Sequence, residues 1–186
     1  MQNIHPTANI HPTAVIIGRV SIGPHTIIGP GCVIGSHPEI RGFAGDGRGV
    51  YIGAGTILTK NVVVDAGSKS ETTIWNDCFI MSGVHIGHDA VIKDHCTISP
   101  KAVVAGHCTV WDYANMGIAS AMHQFTHLPP GSMLGAQAFM TKKCEPKPFT
   151  IYIGNGIRLR DNVKAMSALT DNEIKQLIRQ WQERVI

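Results

Sequence analysis

Isoleucine-glycine pairs recur at every sixth position in the stretch SIGPHTIIGPGCVIG, where the isoleucines are Ile22, Ile28 and Ile34. A β-strand repeats its environment every two residues and an α-helix every 3.6, so this period belongs to a larger unit. With two breaks, the column continues as Ile4, Ile10, Ile16, Ile22, Ile28, Ile34, Ile52, Leu58, Val64, Ile74, Ile80, Ile86, Ile92, Ile98, Val104, Val110, Met116, Met122, Leu128, Leu134 and Met140. A second column, four residues further on, holds only small residues in the last run, from Cys78 to Cys144.

These two columns are typical of a parallel β-helix. Each six-residue unit forms one flat face, the apolar residue points into a narrow core, and the small residue leaves room near the corner. Three faces make one coil of eighteen residues, so the runs predict about seven coils. A β-sandwich would instead show period-two alternation with frequent turns, which does not explain the columns.

Two segments interrupt the repeat, and a tail follows it. HPEIRGFAGDGRGVY and SKSETT are predicted to leave the prism as loops, and EPKPF ends the coil from Glu145. In the last twenty residues, Thr170 and Glu173 form a capping-box pattern before an apolar stripe of Ile174, Leu177, Ile178, Trp181 and Val185, which predicts an amphipathic helix. We expect its apolar face to pack on the prism or on a neighbouring subunit. The predicted fold is all-β, with a β-helix domain at residues 1–145 and a tail with a short α-helix at 146–186.

Composition and charge exclude several classes of function. The chain is 44% hydrophobic and carries a formal charge of +3 without any run of Lys or Arg. This balance favours acidic small molecules or an acidic carrier over nucleic acid. The first residues, MQNIHPTANIHPTA, lack a charged leader followed by an apolar stretch, and no apolar run is long enough to span a membrane. We therefore expect a cytoplasmic protein without a transmembrane segment.

The cysteines are predicted to be structural. All five fall in the small-residue column, where a thiol acts as a compact apolar group: Cys32, Cys78, Cys96, Cys108 and Cys144. Their odd number and the lack of CxxC spacing argue against disulfides and against a zinc knuckle.

Histidine placement indicates a site. Of the ten histidines, five lie at or beside coil corners and are assigned no role: His5, His11, His25, His37 and His95. Subtracting eighteen residues per coil places His107 above Asp89, and places His123 two coils above Gly87. His88 lies between these two columns, and His85 precedes the same corner. Four histidines and Asp89 are therefore predicted to line one edge of the prism, unless their stacking is a coincidence in a histidine-rich chain.

A histidine beside a carboxylate at a solvent-reachable corner is suited to general base catalysis. Imidazole titrates near neutral pH, and an aspartate fixes its orientation. A metal site is the competing use of the same edge.

The stretch VHIGHDAVIKDHCTISPKAVVAGHCTVWDYANMGIASAMHQF, together with IHPTA, resembles the hexapeptide-repeat acyltransferases, most closely the UDP-N-acetylglucosamine O-acyltransferases of lipid A synthesis. The resemblance implies a left-handed parallel β-helix and a homotrimer with active sites in the clefts between subunits. It also implies transfer of an acyl group from a thioester carrier to a nucleotide sugar, with no metal in the chemistry.

The resemblance also implies roles for individual residues. His88 matches the general base, Asp89 the residue that supports it, and Gly106 the glycine whose N–H stabilises the oxyanion. The substrate positions are Glu39 and Arg41 for the sugar, His85, His107, His123 and Gln124 for the cleft, Gly135 for the acyl pocket, and Asn162 for the nucleotide and carrier arm.

The end of the chain leaves the acyl donor open. After Asn162, the segment VKAMSAL supplies Lys164 and neutral residues where the family has an acid and two basic residues, and the helical part is far shorter than the family's. The segment YIGNGIRLR is similar to the GNPA segment of coenzyme A-dependent acetyltransferases. We therefore expect no bound cofactor, and either acyl carrier protein or coenzyme A as the carrier of the acyl group.

Two other classes remain as alternatives. A γ-type carbonic anhydrase shares the repeat, but its zinc requires paired histidines five residues apart, and the fifth residue after His88 is Lys93. A non-catalytic β-helix trimer would carry the histidine edge without using it. The acceptor sugar and the choice between O- and N-acylation stay open.

Overall fold

A computed structural model describes residues 1–185 of the chain. It contains 23 β-strands and two α-helices. The first 21 strands alternate between three parallel sheets, and within this set each strand pairs with the third strand before it and the third after it wherever these exist. Only a coiled chain gives this pairing order, so these strands form seven turns of a parallel β-helix, and a later strand begins an eighth. The predicted all-β coil is confirmed.

The three sheets form the three faces of a prism. The first sheet contains Asn3–Ile4, Val20–Ile22, Val50–Ile52, Thr72–Ile74, Val91–Ile92, Thr109–Val110 and His127–Leu128. The second contains Asn9–Ile10, Ile27–Ile28, Ile57–Leu58, Phe79–Ile80, Thr97–Ile98, Asn115–Met116, Met133–Leu134, Thr150–Ile153 and Ile157–Asp161. The third contains Val15–Ile16, Val33–Ser36, Val63–Asp65, His85–Ile86, Val103–Val104, Ala121–Met122 and Phe139–Met140.

The apolar column fills the core of the prism. From Ile22 onward every member is buried, whereas Ile4 keeps 37% of its surface exposed, since the first coil has a neighbour on one side only. Four of the cysteines are buried beside this column and Cys144 is half-buried. Burial raises the pKa of the Cys32, Cys96 and Cys108 thiols, which suits a packing role rather than a nucleophilic one.

The corners of the coil have an unusual backbone. Twelve non-glycine residues, most of them at corners of successive coils, have φ between +51° and +64°. Asp89 and His107 are two of them, with φ of +60° and +59°. The His107 N–H donates to the carbonyl oxygen of His88 at 3.0 Å, which stacks these two corners directly on each other.

Both predicted loops leave the prism, and the shorter one changes the number of residues in one turn of the coil. Residues 37–49 connect Val33–Ser36 to Val50–Ile52, and residues 66–71 connect Val63–Asp65 to Thr72–Ile74. Because the shorter loop adds four residues to one turn, Val64 pairs with Ile86, at a separation of twenty-two rather than eighteen.

The second sheet extends past residue 145. Thr150–Ile153 continues it in parallel, and Ile157–Asp161 then pairs antiparallel with that strand. Helix α1, Val163–Ser167, and helix α2, Asp171–Val185, follow.

Helix α2 begins at the predicted capping box. The Thr170 N–H and hydroxyl both donate to Glu173 Oε2 at 2.7 Å. Ile174, Leu177, Ile178 and Trp181 are half-buried along the predicted stripe, while the Val185 side chain lies outside the described part of the structure. Within residues 1–185, neither helix combines the length and the apolarity that crossing a bilayer requires.

The inward and outward positions of one strand give a direct test of the core. Ile28 is 1% exposed and Ile27 is 41% exposed. We expect Ile28→Ala to lower the free energy of unfolding by about 2–5 kcal/mol, because it leaves a cavity in a narrow core. The matched variant Ile27→Ala should cost less than about 1 kcal/mol in urea unfolding. Equal losses in the two variants would contradict the assigned register.

Candidate functional site

A buried histidine-aspartate pair occupies the corner that follows strand His85–Ile86. The His88 Nδ1 atom lies 2.7 Å from Asp89 Oδ2, and the two residues are 5% and 4% exposed. A carboxylate only accepts hydrogen bonds, so the short contact assigns the ring proton to Nδ1. His88 Nε2 is then left as the acceptor, which is the tautomer a general base requires.

The loop at residues 66–71 encloses the Asp89 carboxylate. Oδ2 accepts from the Ser68 N–H at 3.0 Å and from its hydroxyl at 2.6 Å. Oδ1 accepts from the Lys69 N–H at 2.8 Å, and from the N–H and hydroxyl of Ser70 at 2.7 and 3.1 Å. Burial alone raises the pKa of Asp89, but the hydrogen bonds from Ser68, Ser70, His88 and Lys69 outweigh it and hold that pKa well below its usual range. Asp89 is therefore a fixed anion behind His88.

The imidazole of His88 borders an open cavity of about 250 Å³. Five of the predicted site residues line this cavity: Glu39, His85, His88, Gly106 and Gln124. Asp65, Gly87, Val103 and Ala105 complete the wall. The coil thus brings residues from the long loop and from three successive turns to one place.

Two glycines give the site its space. A Cβ atom on Gly106 would lie 2.6 Å from His88 Nε2, and a Cβ atom on Gly87 would lie 2.9 Å from the Gly106 nitrogen. Neither glycine has a positive φ. Glycine is therefore required at these positions because a neighbouring atom lies too close for a Cβ, and not because of the backbone conformation. Within residues 1–185 the Gly106 N–H has no hydrogen-bond acceptor, which leaves it available to a ligand.

A second imidazole-carboxylate pair forms another part of the wall. His85 Nε2 lies 3.3 Å from the buried Asp65 Oδ2. A bulge at Gly35 sets Ser36 opposite Asp65, and the Ser36 hydroxyl donates to Asp65 Oδ1 at 2.8 Å. The Asp65 carboxylate raises the pKa of His85 against the effect of burial, and Glu39 adds to the rise.

The other predicted residues of this edge lie beside the cavity. The His107 ring is perpendicular to that of His88 at 5.0 Å and stacks on Phe125 at 4.6 Å. His123 is exposed, and its Nδ1 lies 3.1 Å from the Gln124 carbonyl oxygen. Arg41 is exposed on the same loop as Glu39 and does not line the cavity.

Gly135 and Asn162 are not brought to this cavity within the single chain. Gly135 follows a strand of the second sheet and would place a Cβ atom 3.1 Å from the Tyr152 carbonyl oxygen. Asn162 caps helix α1 through Oδ1 and donates from Nδ2 to the Gly131 carbonyl at 2.9 Å. Asn162 lines a different pocket of about 380 Å³, with Tyr113 among its neighbours.

Sequence reasoning missed four residues that shape the site: Asp65, Gly87, Ser68 and Ser70. A separation of eighteen does not place Asp65 beside the edge, whereas the observed separation of twenty-two sets it opposite Gly87. The separation of twenty-two could have been predicted by counting the four extra residues of the shorter loop. The serines carried no signal beyond their place in that loop, because their contacts with Asp89 depend on the path of its backbone.

Comparison with protein families identifies the repeat. The profile of the bacterial transferase hexapeptide (six repeats) family matches residues 3–36 and 71–106. A comparison with curated protein sequences gives no match.

Comparison with solved structures identifies the fold. A UDP-N-acetylglucosamine acyltransferase is 24% identical with a TM-score of 0.86, covering 97% of this chain and 71% of that chain. The UDP-N-acetylglucosamine acyltransferase of Bacteroides fragilis is 23% identical, with a TM-score of 0.82 and coverage of 97% and 82%. The UDP-N-acetylglucosamine O-acyltransferase of Moraxella catarrhalis is 25% identical, with a TM-score of 0.75 and coverage of 96% and 83%. The resemblance seen in the sequence is therefore confirmed for the hexapeptide repeat, and the left-handed parallel β-helix is confirmed as the fold.

The enclosed carboxylate predicts a specific pH dependence of stability. Because the folded pKa of Asp89 is depressed, its contribution is complete above the unfolded-state pKa of about 3.9 and is lost as the pH falls toward the folded pKa. We expect Asp89→Asn to be less stable than wild type at neutral pH, and the difference to shrink below about pH 4. Urea unfolding of both proteins across this range measures the difference. A difference that stays constant into acid would show that the Asp89 charge does not stabilise the fold.

Proposed function

We propose that the protein is an acyltransferase that moves an acyl group from a thioester to a hydroxyl or amine of a nucleotide sugar. The observation that carries the proposal is the His88–Asp89 pair, with the free Nε2 at the cavity and the Gly106 N–H beside it. A fold alone does not define chemistry. These three groups, however, supply a base, its anionic support and an oxyanion donor.

The reaction follows from these groups. His88 Nε2 takes the proton from the acceptor hydroxyl or amine while its oxygen or nitrogen attacks the thioester carbonyl carbon. The Gly106 N–H donates to the carbonyl oxygen as it becomes negative. Collapse of the tetrahedral intermediate breaks the carbon–sulfur bond, and the His88 imidazolium returns its proton to the departing thiolate. The Asp89 anion stabilises that imidazolium in the interval.

The comparisons support both the reaction class and the nucleotide-sugar acceptor. Three structures with this fold are named as UDP-N-acetylglucosamine acyltransferases. We assign the same class of acceptor to this chain. The thioester is carried by coenzyme A or by acyl carrier protein, and the short C-terminal part, which contains two helices, does not favour one over the other.

We further propose that the active form is a homotrimer with its sites between subunits. Apolar side chains stand exposed near the cavity: Val103 at 40%, Phe125 at 54% and Phe139 at 37%. A neighbouring subunit packed on this side would cover them. In such an arrangement, Gly135 and Asn162 serve the cavity of an adjacent subunit rather than that of their own.

The arrangement argues against the two alternative classes. A scaffold without catalysis has no need for a buried aspartate held by five donors behind a histidine. A carbonic anhydrase-like zinc requires a second histidine five residues after the first, and the fifth residue after His88 is Lys93.

A product assay tests the proposal. Purified protein is incubated with acetyl- or longer acyl-coenzyme A and with acyl carrier protein thioesters, against a panel of UDP-sugars, and the acylated sugar is detected by mass spectrometry. We expect transfer with at least one pair, and a fall in kcat of at least about 100-fold in His88→Asn. The control is His95→Asn, a histidine at another corner that contacts Tyr113 and not the cavity.

Two results would overturn the assignment. Absence of product with every donor and acceptor would remove the acyltransferase, and unchanged turnover in folded His88→Asn would remove the base. A comparable loss of activity in His95→Asn would mean that the effect of His88→Asn is not specific to the dyad.

A further inference from the structure

Six hydrogen bonds converge on the Asp89 carboxylate. Oδ2 accepts from the Ser68 N–H at 3.0 Å, from the Ser68 hydroxyl at 2.6 Å and from His88 Nδ1 at 2.7 Å. Oδ1 accepts from the Lys69 N–H and from the N–H and hydroxyl of Ser70. An ionised carboxylate offers about four lone-pair sites, which the backbone N–H groups and His88 already fill. The two serine hydroxyls are therefore not needed to bury this charge.

The two hydroxyls differ in the oxygen that they reach. The Ser68 hydroxyl binds Oδ2, the oxygen that also holds the ring proton of His88, whereas the Ser70 hydroxyl binds Oδ1. Burial raises the pKa of Asp89, and the hydrogen bond from the Ser68 side chain is the largest of the effects that lower it. Ser68 thus acts on the atom through which Asp89 and His88 interact.

A donor on Oδ2 weakens the attraction of that oxygen for a positive charge beside it. The hydroxyl dipole draws negative charge toward itself, so less of it remains to stabilise a cation on the imidazole. Without this donor, Asp89 would bind a protonated ring more strongly, and His88 would keep its second proton to a higher pH. A general base must lose that proton before it can accept one from a substrate.

Other ionisable groups also face the His88 ring. His107 Nε2 lies 3.7 Å from Asp89 Oδ2, and the His107 ring is perpendicular to that of His88. Lys69 is exposed on the loop. Three more ionisable residues line the same cavity: Glu39, Asp65 and His85. Removal of a serine hydroxyl alters none of these groups, so a comparison of Ser68 with the second serine of the loop isolates the effect on Oδ2.

We propose that Ser68 is a positioning residue that sets the basicity of His88 through Asp89 Oδ2. Its hydroxyl moderates the Asp89 charge, so that the carboxylate orients the ring without holding it in the protonated form. The consequence for turnover rests on the proposed function. The effect on His88 protonation does not depend on it.

Nuclear magnetic resonance of ring-labelled histidine tests the effect without any substrate. Spectra are recorded against pH for wild type, Ser68→Ala and Ser70→Ala, and the His88 signal is assigned by its absence in His88→Asn. We expect the midpoint of His88 protonation to rise by at least about 0.3 pH unit in Ser68→Ala, roughly a twofold change in proton affinity, and by less in Ser70→Ala. The signal of His95, which contacts Tyr113 at another corner, should not move.

The pH dependence of turnover gives a second readout. With the substrates found in the product assay, kcat/KM of Ser68→Ala should fall at least about twofold below wild type at about pH 6. Above about pH 8 it should equal or exceed wild type, because a stronger base is more reactive once it is deprotonated. Damage to the fold would instead lower activity at every pH. Ser68→Thr, which keeps the hydroxyl, should restore the wild-type profile.

The proposal is overturned if the His88 midpoint in folded Ser68→Ala is unchanged, falls, or rises no more than in Ser70→Ala. It is also overturned if Ser68→Ala loses activity equally at every pH. A raised midpoint in a protein that yields no acylated sugar would uphold the effect of Ser68 on His88 and reject the acyltransferase, so the two failures give different results.

Discussion

In-register stacking of one coil on the next is the constraint on which the molecule depends. Backbone N–H groups along a face donate to carbonyl oxygens of the neighbouring coils, as from His85 to the Ala102 carbonyl oxygen at 3.1 Å. The side chains directly inside must therefore match from turn to turn. The core is so narrow that one aliphatic residue per face fills it, and Ile86, Val104 and Met122 follow one another in the third sheet. Polar and reactive side chains are found at the corners, where side chains need not match from turn to turn.

The candidate site arises where the regular coil is broken. The loop at residues 66–71 folds back over the corner at Asp89 and satisfies that carboxylate with backbone and serine donors. The longer loop brings Glu39 to the same corner. Without the loops, the corner would offer only stacked histidines open to solvent. The interruptions thus turn a repeating surface into an open pocket with His88 Nε2 as a defined proton acceptor.

The period of six was enough to predict the coil, the inward column and the two loops, because each depends on a local rule repeated many times. It was enough to place His107 above Asp89 and beside His88, since these corners lie in neighbouring coils without an insertion between them, whereas Gly106 was assigned from the family resemblance. It did not reveal Asp65, whose position depends on the four-residue offset of one loop, or Ser68 and Ser70, whose contacts depend on that loop's path. Antiparallel strand Ile157–Asp161 was not anticipated either, because it lies outside the repeat and pairs by a local hairpin.

The adjacency of the reactive groups has a consequence for how such proteins change. The proposed base His88, the anion Asp89 behind it, the proposed oxyanion donor Gly106 and the second carboxylate all lie between Asp65 and Gly106, within neighbouring turns of the coil. Whole turns added or removed elsewhere would lengthen or shorten the column without moving these atoms relative to one another. The proposed site is thereby modular, and evolution is free to vary the rest of the column while leaving one short segment untouched.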